Sequence, residues 1–269
     1  MSGSEPTGQP ESSGSVTEQS VRTALDSVLD PELDRSIVEL EYIEEITIER
    51  APSGSETNVR MAFLLPTAWC SPAFAWMMAT DAKSAIESIS GVDSAEIVLR
   101  DHMHETEINT GVNEGRPFGE AFPDADGGLE AVRATLDHKA RLARQYDAVE
   151  ALLDAGLSPA QIVALTPADL DRDTDDDRIH IYLGDRSFGV SVDADPIEEY
   201  LEMATAEGCL TGETDPLFRM PDGDPIDESM FELLRRRTRS AKVNVNSQGT
   251  VCDALNESRR EMIEGAGSS

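Results

Sequence analysis

The N-terminal part of the chain combines a helical and a strand-like distribution of apolar residues. Apolar residues at helical spacing predict an opening helix, and they are Val21, Ala24, Leu25 and Val28. Partial alternation of apolar and polar residues predicts three strands, over residues 42–49, 58–65 and 93–99. A strongly apolar helix is predicted between the last two strands, over residues 73–88. This order of elements predicts an α+β domain of roughly 85 residues.

The rest of the chain predicts one long helix and then a second group of helices and strands. The long helix covers residues 129–153. Shorter helices are predicted over residues 160–165, 197–206, 229–240 and 251–263. Strands are predicted over residues 178–183, 187–192, 216–218 and 242–245, the first two as a hairpin. We therefore predict an α+β fold: a small α-β-β-α-β domain, a helical linker and a second small α+β unit.

Changes of composition give the predicted domain boundaries. Residues 1–16 are rich in Ser, Gly, Glu and Pro and are predicted to form a disordered tail. The first domain, with an extension, occupies residues 17–122, and the helical linker occupies residues 123–157. The C-terminal interaction unit occupies residues 158–264.

Acidic residues dominate the whole chain. It has 53 Asp and Glu residues against 22 Lys and Arg, which gives a formal net charge of −31. Such a surface repels nucleic acid, because binding DNA or RNA requires a basic footprint. Acidic residues occur in every region, and Lys is scarce compared with Arg. This composition is typical of halophilic, haloarchaeal-type proteins, because high salt screens the repulsion between their negative charges. The acidity therefore indicates solvation rather than a binding site.

The sequence predicts a cytoplasmic protein without a membrane or nucleic-acid partner. No apolar run approaches the roughly 20 residues that span a bilayer. Residues 1–16 lack the basic start and apolar middle of a secretion signal. The three cysteines, Cys70, Cys209 and Cys252, cannot form a disulfide framework, which fits a reducing compartment.

Three short motifs occur in order in the first domain. Asp-Pro-Glu-Leu occupies residues 30–33, Ile-Val-Glu-Leu occupies residues 37–40, and Thr-Ala-Trp-Cys-Ser-Pro occupies residues 67–72. Together they resemble the PaaD/SufT-like family of metal–sulfur cluster assembly proteins, whose members carry D-P-E-L, I-V-D-L and T-x-x-C elements. The chain departs from the usual Pro-Gly-Cys-Pro segment and has Glu39 in place of Asp.

A variant of this family found beside bacterial propane monooxygenases is more similar. It has an aromatic residue before the Cys, as Trp69 is here, and a D-H and E-I-N-x-G tail that corresponds to residues 101–102 and 107–111. The resemblance implies a factor that matures a diiron or iron–sulfur client and carries iron or an iron–sulfur cluster transiently. Its partners would be a client apo-metalloenzyme or other cluster assembly proteins, and a homodimer is compatible with the sequence.

Cys70 is the main candidate for cluster or metal binding. It lies just before a predicted helix, where unpaired N–H groups and the helix dipole favour a thiolate, the form that binds iron or zinc. Asp30 and Glu32 can supply carboxylates, and the supporting residues are Thr67, Trp69 and Ser71. The alternatives are that Cys70 is a small buried apolar residue and that Asp30 only caps a turn.

A second cluster of potential ligands follows the third predicted strand. His102 and His104 would share a face if this segment were extended, and Glu105 and Glu107 are close in sequence. Imidazoles and carboxylates can bind iron or zinc. Because the strand before this cluster belongs to the same sheet as the strand before Cys70, the two clusters can form one site. The alternative is a polar surface loop.

Cys252 is the third candidate. A polar, turn-like stretch over residues 244–249 precedes it, so the argument made for Cys70 applies at the start of the last predicted helix. Cys209 lies at a helix end and is predicted to be inert. The C-terminal unit resembles the catalytic domain of tyrosine recombinases in outline, but the nucleophile and the Arg/His set are not recognisable. We therefore interpret it as an interaction or scaffold unit.

The sequence thus predicts an assembly or carrier factor rather than an enzyme. No Walker-type phosphate loop, nucleophile elbow or helical HExxH motif is present. Three alternatives remain open. They are a metal-free chaperone specific for a multicomponent oxygenase, a degenerate recombinase-like binding module, and a small metal-dependent enzyme that uses His102, His104 and Glu107.

Overall fold

A computed structural model of the chain describes residues 16–51, 56–124, 128–173, 177–184 and 188–267. The predicted tail lies outside these residues except for Val16, which is buried. Residue contacts divide the chain into two units, both of which mix helices and strands, as the predicted α+β class requires. The first unit comprises Met1–Asp30, Arg35–Asp126 and Leu255–Ser269, and the second comprises Pro31–Asp34 and Gly127–Ala254. No helix in the described part of the chain is long and apolar enough to cross a membrane.

The first unit contains the predicted α-β-β-α-β order. Its helices are α1 (Glu18–Leu25), α2 (Pro72–Glu87), α3 (Glu105–Asn113) and α4 (Phe118–Ala121). Its strands are β1 (Leu29–Asp30), β2 (Arg35–Ser36), β3 (Ile43–Arg50), β4 (Thr57–Leu64) and β5 (Ser94–Arg100). The main sheet has the order β3-β4-β5, with β3 antiparallel and β5 parallel to β4. The β1–β2 hairpin was not predicted, and the predicted extension contains two helices, α3 and α4, that were not predicted either.

Helix α2 is strongly apolar because other elements surround it. It connects the parallel strands β4 and β5, and it contacts β5, α3, α1 and β1. A helix that is covered from several sides can be hydrophobic all round. Its buried residues are Ala75, Trp76, Met77, Met78, Ala79, Ala82 and Ile86.

Two asparagine side chains of α3 pair with the outer edge of β5. Asn109 accepts from the Leu99 N–H at 2.8 Å and donates to the Leu99 carbonyl at 2.9 Å. Asn113 pairs with Ile97 in the same way, at 2.9 and 2.7 Å. Four residues of helix span about 6 Å and two residues of strand span about 6.6 Å. The two amides therefore stay in register with the strand and satisfy backbone groups that an edge strand leaves unpaired.

Among the described residues, the second unit contains a three-stranded antiparallel sheet, three complete α-helices and the first part of a fourth. The helices are α5 (Gly128–Asp154), α6 (Pro159–Ala164), α7 (Ala194–Ala206) and α8 (Phe231–Gly267), and α8 continues into the first unit at Leu255. The strands, in the order β6-β7-β8, are β6 (Leu170–Asp173), β7 (Arg178–Leu183) and β8 (Phe188–Asp193). Its core draws residues from α5, α6, α7, β7 and β8, among them Val149, Leu152, Ile179, Ile197 and Tyr200.

The hairpin β7–β8 confirms the prediction, whereas β6 was missed and two predicted strands, over residues 216–218 and 242–245, are absent. Residues 216–218 are not a strand. The Leu217 N–H donates to the Leu165 carbonyl at 2.8 Å, and the Tyr200 hydroxyl donates to the Leu217 carbonyl at 2.7 Å. Both backbone groups of Leu217 are therefore paired outside any sheet. Leu-Asp-Arg-Asp in β6 has no alternating apolar pattern, so the strand gave no signal.

The predictions of a strand at 242–245 and a separate helix at 251–263 were wrong, because α8 runs without interruption from Phe231 to Gly267. Asn and Gly residues between positions 244 and 249 are poor helix formers, and they suggested a turn. Tertiary contacts compensate for this low propensity. In the second unit, Lys242 pairs with Asp147 at 2.5 Å and the Gln248 amide donates to Glu32 at 2.9 Å.

Gly111 in α3 gives a test of the packing in the first unit. A Cβ at this position would lie 2.7 Å from Cζ3 of Trp76. The Trp76 ring is also held edge-on against Phe118 and Phe122, at centroid distances of 5.5 and 6.1 Å, so it cannot move away easily. We expect Gly111→Ala to lower the free energy of unfolding by about 1–3 kcal/mol in urea titrations followed by circular dichroism.

Gly119→Ala is the matched control, because a Cβ at Gly119 would meet nothing within 4 Å. In a helix, Gly→Ala without a steric conflict is neutral or slightly stabilising. Equal effects of the two substitutions would contradict the close packing of α3 on Trp76.

Candidate functional site

The parallel pairing of β4 and β5 brings two loops together at one edge of the sheet. Phe63 pairs with Leu99, and Leu64 pairs with Arg100, so both strands end at the same level. The loop after β4 contains Cys70, and the turn after β5 contains His102. The sequence predicted this proximity, because both strands were assigned to one sheet.

The loop that carries Cys70 is ordered by its own side chains. The Thr67 Oγ1 atom accepts from the Trp69 N–H at 3.1 Å, and it lies 3.6 Å from the Cys70 Sγ atom. Ser71 is the N-cap of α2 and Pro72 is its first residue, which suits the geometry of a helix start. Cys70 therefore lies one residue before the N-cap of α2 and is half-buried.

His102 connects the turn after β5 to the Cys70 loop. Its Nε2 atom lies 2.9 Å from the Cys70 carbonyl oxygen. Its Nδ1 atom accepts from the His104 N–H at 3.2 Å, which assigns the ring proton to Nε2 as donor to Cys70. Burial lowers the pKa of His102, which favours this neutral form. In this arrangement both ring nitrogens of His102 have protein partners.

Arg259 of α8 holds the beginnings of both loops within the first unit. Its guanidinium donates to the Leu65 carbonyl, just before the Cys70 loop. It also donates to the Asp101 carbonyl at 3.0 Å and pairs with the Asp101 carboxylate at 3.3 Å. A planar guanidinium suits this arrangement, because it directs several donors at once.

The surface beside Cys70 is apolar and exposed. The Trp69 side chain is 76% exposed and the Met103 side chain is 54% exposed. The two loops meet at this point, since the Met103 N–H donates to the Ala68 carbonyl at 3.0 Å. Two large apolar side chains are therefore exposed on the two loops that meet here.

The predicted carboxylates have other partners. The Asp30 carboxylate is buried and accepts from the Tyr42 hydroxyl at 3.2 Å. Glu32 belongs to the second unit and accepts from Gln248. Glu107 is exposed on α3, and Glu105 accepts from the Asp101 N–H at 2.9 Å.

The rings of His102 and His104 lie near each other, at a centroid distance of 6.1 Å, but the remaining predicted ligands do not join them. The His104 ring packs edge-on against Phe122, at a centroid distance of 5.3 Å. Residues 101–104 form a bend and a turn rather than a strand, so His102 and His104 do not share the face of a strand. Cys252 lies within α8 rather than at a helix start, which removes the argument from the helix dipole. Cys209 lies 3.9 Å from Glu207 in the second unit. Among the described residues, no three His, Cys, Asp or Glu side chains form a group that can hold a metal ion.

Sequence reasoning missed the structural roles of the tail over residues 107–111. Asn109 pairs with β5, and Gly111 leaves space for the Trp76 ring. Arg259 was also missed, because its partners are backbone carbonyls far away in sequence. The spacing of Asn109 and Asn113 was the available signal, since residues four apart in a helix share a face.

Comparison with known proteins identifies the family. Residues 18–98 match the family model described as iron–sulfur cluster assembly protein. The chain belongs to this family. An uncharacterized protein of Methanocaldococcus jannaschii is 31% identical over 99 residues, which cover 37% of this chain and 97% of that protein. No solved structure matches the chain.

The iron–sulfur cluster assembly match lies within the first unit except for Pro31–Asp34, which belong to the second unit. It includes Cys70, the D-P-E-L motif and almost all of β5. The family is one of assembly factors, which agrees with the absence of a recognisable catalytic motif in the sequence. The match ends before His102, so the turn after β5, α3 and α4 lie beyond the matched residues.

His102 gives a test of the geometry at the family's Cys position. His102→Ala removes the hydrogen bond to the Cys70 carbonyl, which is worth about 1 kcal/mol. We therefore expect Cys70 to be alkylated by iodoacetamide roughly fivefold faster, because the loop opens more often. Mass spectrometry of the peptides measures the rate at each cysteine. Cys252 in the same molecule is the internal control, and an unchanged rate at Cys70 would contradict the bracing role of His102.

Proposed function

We propose that the protein carries iron or an iron–sulfur cluster transiently through Cys70 and delivers it to a client apo-metalloenzyme. The supporting observation is a half-buried thiol beside the start of α2, in a loop held by His102 and bordered by the exposed Trp69. The iron–sulfur cluster assembly family of the first unit agrees with this cargo. The protein would act as an assembly factor and would not turn over a substrate.

In this proposal, Cys70 supplies one thiolate to the cargo and releases its proton when iron binds. Asp30, Glu32, His102, His104, Glu107 and Cys252 remain candidate ligands by prediction. Because the described residues contain no group of three ligands around Cys70, the client, an assembly partner or a second copy of the chain would complete the coordination. Shared coordination suits a carrier, since a cluster held by few ligands is released more easily.

The second unit would recognise the client. Its outline resembles tyrosine recombinases, but the nucleophile and the Arg/His set of those enzymes are not recognisable. The net charge of −31 on the chain also disfavours DNA as the partner. The resemblance to the variant beside propane monooxygenases suggests a diiron oxygenase as client. The same resemblance and the acidic composition suggest cytoplasmic action at high salt.

A metal-free chaperone for such an oxygenase is the second candidate. The exposed side chains of Trp69 and Met103 favour it, because an apolar surface beside the Cys70 loop can bind an unfolded or apo client without any metal. The two candidates differ in whether Cys70 binds cargo.

The deciding experiment measures iron and acid-labile sulfide per chain. The protein is purified without oxygen in high salt, reconstituted with iron and sulfide, and compared with Cys70→Ala. We expect iron and sulfide in the wild type and a loss of most of both in Cys70→Ala. Cys209→Ala is the matched control, since Cys209 lies in the second unit and is predicted to be inert.

Two outcomes would overturn the carrier. Wild-type protein without metal after reconstitution would favour the metal-free chaperone. Equal metal in the wild type and in Cys70→Ala would place the cargo elsewhere in the chain.

A further inference from the structure

A short basic segment at the start of α8 stands out in this acidic chain. Residues 231–242 contain five of the 22 lysines and arginines and only one acidic residue, Glu232. The chain as a whole carries a net charge of −31. Most of these basic residues lie in the helix predicted over residues 229–240, and no function was assigned to them.

Part of this segment lines an open groove in the second unit. The groove has a volume of about 270 Å³ and is lined by Tyr146, Glu232, Arg235, Arg236 and Arg239. The four α8 residues lie at positions i, i+3, i+4 and i+7, which places them on one face of the helix. Tyr146 of α5 adds an aromatic side chain beside them.

The arginines of the groove differ in their partners. Arg235 makes two hydrogen bonds to Glu150, at 2.7 and 2.9 Å, and is therefore neutralised within the unit. Arg236 and Arg239 are exposed. Among the side chains that the structure describes, neither has a carboxylate within 4.0 Å.

Two unpaired guanidinium groups favour an anionic ligand at short range. A guanidinium binds a carboxylate through two parallel hydrogen bonds, which gives specificity as well as attraction. Long-range attraction contributes little, because the surrounding acidic surface repels anions and salt screens charges beyond roughly 10 Å. A nucleic acid would bring a continuous row of phosphates close to this acidic surface. A peptide can instead place single carboxylates at the arginines and an apolar residue against Tyr146.

We propose that this groove binds an acidic, partly apolar peptide segment of a partner protein. That this partner is the client metalloenzyme rests on the proposed function. That the groove binds an acidic segment does not depend on it. Arg236 and Arg239 bind its carboxylates, and Tyr146 contacts its apolar side chain. Arg235 is held by Glu150 and supports the wall of the groove.

The test measures binding of a short fluorescein-labelled peptide of alternating glutamate and leucine by fluorescence anisotropy. Wild type, Arg236→Gln/Arg239→Gln and a control, Arg22→Gln/Arg116→Gln, are compared in KCl that keeps the chain folded. The control removes the same charge from two arginines of the first unit that pair with nearby glutamates. We expect the groove variant to weaken binding roughly tenfold and the control to leave it unchanged.

Further measurements test whether binding depends on the carboxylates of the peptide and whether it is independent of Cys70. A peptide with glutamine in place of glutamate should bind weakly to all variants. Cys70→Ala should bind the acidic peptide like the wild type, so failure of the metal carrier and failure of the groove are distinguishable. No binding of the acidic peptide, equal loss in both arginine variants, or preferred binding of a single-stranded DNA oligonucleotide would each overturn the proposal.

Discussion

The parallel pairing of β4 with β5 is the constraint on which the first unit depends. Parallel neighbours cannot be joined by a tight turn, so the chain must cross over the sheet, and α2 is that crossover. The same pairing ends both strands at one edge, where the Cys70 loop and the His102 turn meet. The parallel pairing of β4 and β5 therefore explains both why α2 is apolar and why a thiol lies beside its first residue.

The side chains around Cys70 position its loop, and Cys70 itself is half-buried. His102 and Arg259 bond to backbone carbonyls, whose positions they fix whether or not a metal is bound. In the proposed carrier, such bracing would let the loop receive and release cargo without rearranging around each ligand. The exposed Trp69 and Met103 beside it provide surface for a partner that could share the coordination.

Periodicity was sufficient for α1, α2 and the main sheet of the first unit, but not for its β1–β2 hairpin, α3 and α4, and not for α8. The alternating strands and the apolar helix were found because burial on one or several sides leaves a pattern in the sequence. The interruption predicted at residues 244–249 followed from Asn and Gly propensities, which contacts such as Lys242 with Asp147 outweigh. Residue type alone also could not separate a histidine that braces a carbonyl from one that binds a metal. That distinction depends on where both ring nitrogens of His102 point.

The amides of Asn109 and Asn113 have a consequence for how the protein avoids self-association. They occupy the hydrogen-bonding groups of β5 as a neighbouring strand would, so a strand of another molecule cannot extend the sheet at that edge. The remaining edge is β3, where three of the eight residues are glutamates. Two copies approaching through β3 would bring these carboxylates together. The sheet of the first unit is thus closed to strand addition at β5, and a partner that binds its exposed apolar corner would not extend the sheet.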